Sequence, residues 1–423
     1  MIKSIILLSS LFILTANADD DIALDVRASY LNYDYDKGFH DAEAFASSLK
    51  LKYSKELVEN LEAGIAFGTI QDLGIGDKSK RDMAFMFNRN KESFTTLQQA
   101  YLKYKYSKSY IRAGRIEVET PLVSADDYFI LASSYQGTEA SIKEIKNIEI
   151  QIGYLSQMSG SWDSAYDGEN FYSMTRQAWA HRADSGSEHY YNLVYDLGAK
   201  EAGLAFIGAK YEDNTMAVQL YDHVLLDVYN TFFTQIDYKT DIERTKLLLA
   251  GQFIKYNGIG SMKNNPNPDA VVDYSTHSAK AELSYNNACF KLAYTGISDT
   301  PSIHFFGAFG SYAEFASGMI TSYFETSLRD ANIVSLTPSY DFKFNKHSLN
   351  LNATYAYYDL NSDYTKGGIL GDTTNGEEYM HAYGIGTTYG YEKNFSWNFK
   401  LAQRKLESED TNLLFKTLLK YSF

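Results

Sequence analysis

The sequence predicts an all-β protein, a transmembrane antiparallel up-and-down β-barrel of about 18 strands whose third loop folds inward as a constriction. Three observations predict this fold class. Segments of about ten residues in which apolar and polar side chains alternate recur along the chain. The composition includes 36 Tyr, 25 Phe and 28 Gly but only 5 Pro, and tyrosine suits the aromatic rings at a membrane interface. Beyond the N-terminal segment, no apolar stretch reaches the length of a transmembrane helix.

The N-terminal segment has the features of a secretory signal peptide. Lys3 supplies a positive start, residues 4–14 are apolar, and Ala16-Asn17-Ala18 fits the small-x-small rule for cleavage. The apolar run is too short for a membrane-spanning helix, which needs roughly 20 residues. We therefore expect residues 1–18 to be a signal peptide and residues 19–423 to form a single transmembrane β-barrel domain.

Charge and cysteine content exclude other classes of protein. The formal net charge is −14 at neutral pH, which argues against a nucleic-acid partner. For a channel this acidity favours cations, but only charges at the narrowest part decide selectivity. The single cysteine, Cys289, has no partner for an internal disulfide, so the chain is not a disulfide scaffold.

Eighteen strands can be placed in order along the chain. Seven precede residue 158, at 22–33, 42–53, 57–67, 97–106, 110–118, 137–144 and 148–157. Eleven follow, at 204–211, 215–223, 228–238, 246–256, 275–285, 289–297, 331–342, 347–358, 379–391, 397–406 and 413–423. An even number is required when both ends of a barrel lie on the same side of the membrane. Residues 190–197 would make a nineteenth strand, so we place them in a long fourth surface loop.

Turns and side-chain faces agree with an up-and-down order. Ser107-Lys108 and Asn286-Asn287 are short, turn-like connections, and longer connections fall in the alternate gaps. In the first strand, Asp25 and Arg27 face inward and their apolar neighbours face outward. Pro338 removes a backbone donor from its strand, so we expect a bulge or a weakly paired position there.

The closing strand carries the clearest alternation. Leu413, Phe415, Leu419, Tyr421 and Phe423 share one face, with polar side chains opposite. This pattern resembles the terminal strand of bacterial outer-membrane barrels. The resemblance implies export to the bacterial outer membrane, contact with outer-membrane lipid and lipopolysaccharide, and recognition of Phe423 by the barrel assembly machinery. A strand of a soluble all-β domain that ends in Phe is the alternative.

Residues 110–128 are the strongest candidate for a selectivity element. A strand here would carry Arg115 and Glu117 into the lumen, because Ile116 is expected to face the other way. Thr120-Pro121 then ends the strand pairing. We expect the loop that follows to fold inward, so that Asp126, Asp127 and Tyr128 complete the pore constriction.

This stretch resembles the OprD-like family of outer-membrane porins, whose third loop constricts an eighteen-stranded barrel. The resemblance rests on Gly114-Arg115, Thr120-Pro121, Ser124-Ala125-Asp126-Asp127 and Tyr135-Gln136-Gly137. It implies a porin for passive diffusion of small hydrophilic solutes or ions, often with a ladder of basic lumen residues. Residues 128–132 lack the Arg and Pro common in the family, which weakens the transfer of its preference for carboxylates.

Alternation places eight basic side chains on inward faces as candidates for such a ladder. These are Lys50, Lys52, Lys103, Arg115, Lys143, Lys280, Lys400 and Arg404. The competing interpretation of each residue is an ordinary charged side chain of the lumen that does not bind a solute. Arg115 opposite Asp126 and Asp127 would create a transverse field that orients dipolar or charged solutes.

Rival functions receive less support from the residues. An adhesive or structural barrel stays open, whereas an enzyme would need a positioned nucleophile and base, which the scattered histidines do not indicate. We expect no enzymatic activity and no cofactor. Asp163, Asp167 and Glu169 could bind a structural calcium ion, although they lack the spacing of a calcium-binding loop. Monomer and homotrimer are both compatible with the sequence.

Overall fold

The computed structural model describes most of the chain beyond the N-terminal segment. The described residues are 20–35, 41–80, 86–88, 90–125, 130–159, 169–182, 190–263, 265, 271–300, 302–305, 309–311, 315–316, 330–360, 379–406 and 411–423. None of the helices within these ranges has the length and apolar character that a membrane span requires.

Eighteen antiparallel strands form the wall of a closed barrel. The first nine are β1 Asp20–Tyr35, β2 Ala42–Val58, β3 Leu61–Asp72, β4 Phe94–Tyr106, β5 Ser109–Ile116, β6 Ser134–Ile142, β7 Ile148–Ser159, β8 Leu204–Glu212 and β9 Met216–Leu225. The others are β10 Tyr229–Ile242, β11 Thr245–Gly258, β12 Asp273–Tyr285, β13 Ala288–Ile297, β14 Asn332–Phe344, β15 His347–Asp359, β16 Tyr379–Tyr391, β17 Phe395–Leu406 and β18 Thr411–Ser422.

Each strand pairs with the next along the chain, and β18 returns to pair with β1. The closing register runs from Asp25 opposite Ser422 to Tyr35 opposite Asn412. No strand edge is left open in this ring, which is what a sheet in hydrocarbon requires because water is absent there. The predicted fold class and strand number are therefore confirmed.

The long excursion between β7 and β8 adds no spanning strand to the wall, although its two-residue strand Tyr172–Ser173 pairs with the end of β7. Tyr190–Asn192 pairs with Trp179–Arg182, and Ile303–His304 adds a third strand to this small separate sheet. The placement of residues 190–197 in a loop is confirmed. Two short helices, Met174–Gln177 and Gly260–Lys263, also lie in the connections between wall strands.

Alternation separates a lipid-facing surface from an inner surface. On neighbouring strands β7 and β8, Ile152 and Ile207 are 48% and 53% exposed, while Leu155 and Phe206 are 0% and 3% exposed. Large exposed side chains on the outside of a barrel contact lipid in the membrane. Buried apolar side chains on the inside require something to cover them, and loops that fold into the barrel supply it.

Short turns close one end of the barrel, which we call the short-turn end. Seven residues there adopt positive φ angles, as tight hairpin turns require: Asn60, Ser107, Asn147, Glu243, Asn286, Asn345 and Glu392. The turn at Asn60 lies later than expected, so β3 begins at Leu61 and not at residue 57. The boundary is the least reliable part of a strand prediction because alternation continues into the turn.

Pro338 behaves as its chemistry predicts. It lies opposite Phe290 of β13, but the β14–β15 register passes from Leu336–Tyr355 to Ser339–Asn352 without it. The hydroxyls of Thr337 and Thr354 meet at 3.1 Å beside this gap. The expected weakly paired position is confirmed.

Gly114 offers a test of the wall itself. Its φ of 128° is unfavourable for other residues, and an added Cβ would lie 2.2 Å from the Ala100 carbonyl oxygen. We expect Gly114→Ala to destabilise the folded barrel by about 2 kcal/mol or more. The protein is folded into lipid vesicles and titrated with urea, and the measurement is the urea concentration at which half of the folded band on an unheated gel is lost.

Gly251→Ala is the matched control, because no atom lies within 4 Å of an added Cβ at that position and its φ is ordinary. Its urea midpoint should stay at the wild-type value. Equal midpoints for the two variants would contradict the constraint at Gly114.

Candidate functional site

The third loop, residues 117–133, leaves the wall after β5 and turns inward. Thr120 N–H donates to the Val123 carbonyl at 2.7 Å, and Val123 N–H donates back to the Thr120 hydroxyl at 3.0 Å. The same hydroxyl lies 2.9 Å from Nε2 of His223, a buried residue of β9. Val118 and Val123 are fully buried in the inner core. A tight turn and an apolar anchor therefore hold the start of the loop inside the barrel.

The seventh loop, residues 298–331, fastens the third loop. Ser124 N–H donates to the Phe309 carbonyl at 2.9 Å. The buried Tyr135 hydroxyl lies 2.7 Å from the Ser124 carbonyl oxygen and 2.9 Å from that of Phe309, so its proton serves both. The Ser311 hydroxyl also donates to the Pro121 carbonyl. Two inward loops thus form one hydrogen-bonded unit, which the sequence pattern did not predict.

Two carboxylates of the third loop point to the lumen. Glu117 forms an ion pair with Lys50 of β2, and the Glu117 carbonyl accepts a hydrogen bond from Arg112 Nη2 at 2.5 Å. Glu119 accepts a hydrogen bond from Ala125 N–H at 3.1 Å. The protein around Glu119 displaces water from its carboxyl, and this desolvation raises its pKa, with the negative charge of Glu117 adding to the effect.

A run of basic side chains, which we call the basic ladder, follows the inner face of four adjacent strands, and its members Arg27, Lys50, Lys52 and Lys420 lie beside the third loop. β17, β18, β1 and β2 supply it, and the cross-strand register brings Arg27 beside Lys420 and Lys400 beside Lys416. The members of the basic ladder are Lys52, Lys50, Arg27, Lys420, Lys416, Lys400 and Arg404.

Few acidic groups accompany the basic ladder. Asp25 accepts a hydrogen bond from Arg27 Nε at 2.6 Å and lies 3.7 Å from Lys420 Nζ. Basic charge therefore exceeds acidic charge on this part of the wall.

A cavity of about 610 Å³ lies between the basic ladder and the third loop. Arg27, Lys50 and Lys52 line one side, and Glu117 and Glu119 line the other. The two sides meet at the Lys50–Glu117 ion pair, and opposite charges on the two sides of an aqueous space create a transverse field. Such a field acts on dipolar and charged solutes.

The inward assignment of Arg115 is wrong. Ile116, expected to face outward, is fully buried in the inner core. Arg115 pairs with Ala100 and Gln136, on the same side of the sheet as the exposed Ile111. Its guanidinium donates to the Leu97 carbonyl at 2.9 Å and lies 4.2 Å from the centre of the Phe171 ring.

Three other predicted ladder residues lie apart from the basic ladder. The Lys103 ammonium lies 5.0 Å from the centre of the Tyr110 ring. Lys143, just beyond the end of β6, lies 3.1 Å from Glu149. Lys280 on β12 lies 3.2 Å from Glu282. Of the other predicted ladder residues, Lys50 and Lys52 line the cavity beside the third loop. Lys400 and Arg404 lie on β17, three strands from β2.

Several predicted residues lie outside the described residues, namely Asp126, Asp127, Tyr128, Asp163 and Asp167. Glu169 is described, and it joins two loops to the wall: its carboxylate accepts from Asn88 Nδ2 at 3.2 Å and its carbonyl accepts from the Thr96 hydroxyl at 3.1 Å. Among the described residues, no group of three or more His, Cys, Asp or Glu is arranged to hold a metal ion.

The sequence patterns did not identify five charged residues of the site: Arg27, Lys416, Lys420, Arg112 and Glu119. Alternation had already placed Arg27 inward, and the closing strand carries Lys416 and Lys420 opposite its apolar face. Alternation therefore indicated the inward face of these side chains, but only the pairing of β18 with β1 makes them neighbours. Arg112 lies 2.5 Å from Glu139 on the next strand, and a cross-strand charge pair is the signal that could have found it.

The comparisons with known proteins agree with this architecture. The family model described as outer membrane porin, OprD family, matches residues 18–389. No curated protein matches the sequence.

Solved structures of similar fold include Acinetobacter baumannii OccAB4, with a TM-score of 0.71 and 16% identity over 96% of this chain and 99% of that chain. Pseudomonas aeruginosa OccK9 (OpdG) has a TM-score of 0.73 and 15% identity, covering 96% of this chain and 98% of that chain. Pseudomonas aeruginosa OpdK, solved with vanillate, has a TM-score of 0.70 and 16% identity with the same coverage.

At these identities the structural likeness shows the fold alone, and the family match over most of the chain shows the family. A closed barrel, an inward third loop and a charged lumen are what a diffusion channel needs. The chain belongs to the OprD family of outer membrane porins, which are passive diffusion channels for small hydrophilic solutes.

Proposed function

We propose that this porin orients its solutes in a transverse field between the basic ladder and the carboxylates of Glu117 and Glu119. The observation that carries the proposal is the cavity between these two charged walls. A solute with an anionic group would turn that group toward the basic ladder while its opposite end passes the third loop. Contacts across water are weak, so the solute can leave again.

The basic ladder favours anionic solutes at the constriction despite the acidity of the whole chain. Selectivity depends on charges close to the passing solute, because salt screens those farther than about 10 Å. OpdK was solved with vanillate, a carboxylate. Vanillate is a ligand of OpdK in that structure, and for the present chain it is the first carboxylate to test.

We also propose the finer features that the sequence suggests. Residues 1–18 would be a cleaved signal peptide, and residues 19–423 would form the barrel domain. Phe423 would be read by the barrel assembly machinery, lipopolysaccharide would contact the outer surface, and the protein would act as a monomer or a homotrimer without enzymatic activity or a cofactor. Calcium binding by Asp163, Asp167 and Glu169 stays a prediction that a melting experiment with and without chelator would test.

Charge substitutions on the two walls should shift ion selectivity in opposite directions. We expect Lys420→Gln to lower the chloride-to-potassium permeability ratio by about two-fold, and Glu117→Gln to raise it by about two-fold. The measurement is the reversal potential of purified protein in a planar bilayer under a potassium chloride gradient.

Lys239→Gln is the matched control, because Lys239 pairs with Glu212 near the short-turn end, away from the third loop. It should leave the reversal potential unchanged. A protein without discrete conductance steps would contradict the channel function. Parallel shifts in Lys420→Gln and Glu117→Gln would contradict the two-walled field.

Acid should change selectivity through Glu119. Its raised pKa means that it takes up a proton at a higher pH than an ordinary glutamate. As the pH falls from neutral, protonation of Glu119 removes this negative charge and should shift the permeability ratio toward anions. Reversal potentials measured across a pH series check this step.

In Glu119→Gln the step should be missing, whereas Glu212→Gln, an exposed control at the short-turn end, should keep it. The same pH profile in wild type and Glu119→Gln would rule out this role for Glu119.

The shared hydroxyl of Tyr135 should determine how firmly the constriction is held. Tyr135→Phe removes the donor to the Ser124 and Phe309 carbonyls while leaving the ring in place. We expect open-channel current noise to rise by about two-fold, because the contact between the loops loses the hydrogen bonds of this hydroxyl while the Ser124 N–H bond to the Phe309 carbonyl stays. Tyr238→Phe, on the lipid-facing surface, is the control. Identical single-channel noise in wild type and Tyr135→Phe would show that the hydroxyl does not hold the constriction.

A further inference from the structure

Beside the basic ladder, the inner surface changes from charged to uncharged polar side chains. β14, β15 and β16 carry hydroxyl and amide groups in three rows across the strands. We call this strip the hydroxyl-amide track, and its members are Thr337, Ser339, Asn350, Asn352, Thr354 and Thr388. Inward charges of β3–β8 and β12 are mostly ion-paired, as in Arg112–Glu139 and Lys280–Glu282.

Cross-strand register makes the rows continuous. Ser339 lies opposite Asn352, which lies opposite Gly386, and Gly386 lies opposite Lys400 of the basic ladder. The next row toward the short-turn end runs from Asn350 through Thr388. The hydroxyl-amide track therefore adjoins the basic ladder and shares the same lumen.

Glycine allows the amides to lie flat on the wall. An added Cβ at Gly386 would lie 2.6 Å from Oδ1 of Asn352, so a larger residue there would displace the amide. Asn352 Nδ2 donates to Asn350 Oδ1 at 3.1 Å, and Asn350 Nδ2 donates to Asp341 Oδ1 at 2.8 Å. These bonds fix the orientation of the two amides before any solute arrives.

The fixed amides keep further capacity for hydrogen bonds. Each NH₂ group has two protons and each hydroxyl both donates and accepts. Asn350 and Asn352 are half-buried, so their outer edges remain open to the lumen. Beyond the Asp341 carboxylate that Asn350 contacts, the track offers donors and acceptors without charge, which matches a solute covered in hydroxyl groups, because each hydroxyl also donates and accepts.

We propose that the hydroxyl-amide track is a weak binding strip for uncharged polyhydroxylated solutes, such as sugars and sugar alcohols. The inference rests on the channel function and adds a class of solute to it. Hydroxyls of the solute replace water on successive rows, so that a sugar crosses this part of the lumen at a smaller desolvation cost than a chain of ethers. The basic ladder plays no part in this recognition.

The test compares maltotriose with a polyethylene glycol of equal hydrodynamic radius in proteoliposome swelling. The glycol is the chosen probe because its ether oxygens accept hydrogen bonds and donate none along the chain. For wild type we expect maltotriose to enter about three-fold faster than the glycol. In Asn350→Leu/Asn352→Leu, which conserves side-chain size, the ratio should fall toward one while potassium chloride conductance is kept.

Two further variants make the outcome specific. Gln219→Leu/Gln235→Leu removes two facing amides of β9 and β10 and should keep the wild-type ratio. Thr337→Val/Thr354→Val removes two hydroxyls of the track and should lower the ratio even if the asparagine variant fails to fold.

Three results would overturn the inference. A conducting wild-type protein that admits both probes equally would sink the sugar preference and leave the channel function standing. The track would not be the cause of the preference for maltotriose if the Gln219→Leu/Gln235→Leu control lost that preference equally. The same conclusion would follow if both track variants kept it. A wild-type protein without conductance would overturn the channel function and this inference together.

Discussion

The closure of the strands into one hydrogen-bonded ring is the constraint on which the rest of this structure depends. Hydrocarbon offers no hydrogen bonds, so the sheet must close, and here it closes where β18 meets β1. That closure also builds the site. Arg27 and Lys420 belong to opposite ends of the chain, and they become neighbours only because the first and last strands pair. The basic ladder is therefore a consequence of barrel closure as much as of its residue types.

Strand alternation could be predicted from the sequence because it is a local property. Each residue of a wall strand faces either lipid or lumen, so Lys50, Lys52, Lys400 and Arg404 could be assigned inward one strand at a time. The same rule failed at Arg115. It assumes that apolar side chains face lipid, whereas Ile116 and Val118 are buried inside against the inward loops. Where loops fill a barrel, both faces of a strand are apolar, and alternation no longer identifies the lumen.

The contact between the third and seventh loops could not be predicted for a different reason. Most of its acceptors are backbone carbonyls, at Pro121, Ser124 and Phe309. Every residue has a backbone carbonyl, so neither residue type nor spacing in the sequence indicates which carbonyls accept these hydrogen bonds. The side chains that donate across the contact are the hydroxyls of Tyr135 and Ser311, and a tyrosine at the start of a barrel strand also fits an aromatic girdle. Long-range partners of this kind require the three-dimensional arrangement.

Net charge and local charge lead to opposite expectations for this pore, and distance decides between them. The chain carries −14 overall, but acidic groups on surface turns act across more than a Debye length of salt solution. Four members of the basic ladder, Arg27, Lys50, Lys52 and Lys420, line the cavity beside the third loop. Because Lys400 adjoins the row of Asn352, one lumen offers charge and uncharged hydrogen bonds side by side. A solute with one anionic group and several hydroxyls would contact both surfaces in a single orientation, which neither surface could impose by itself.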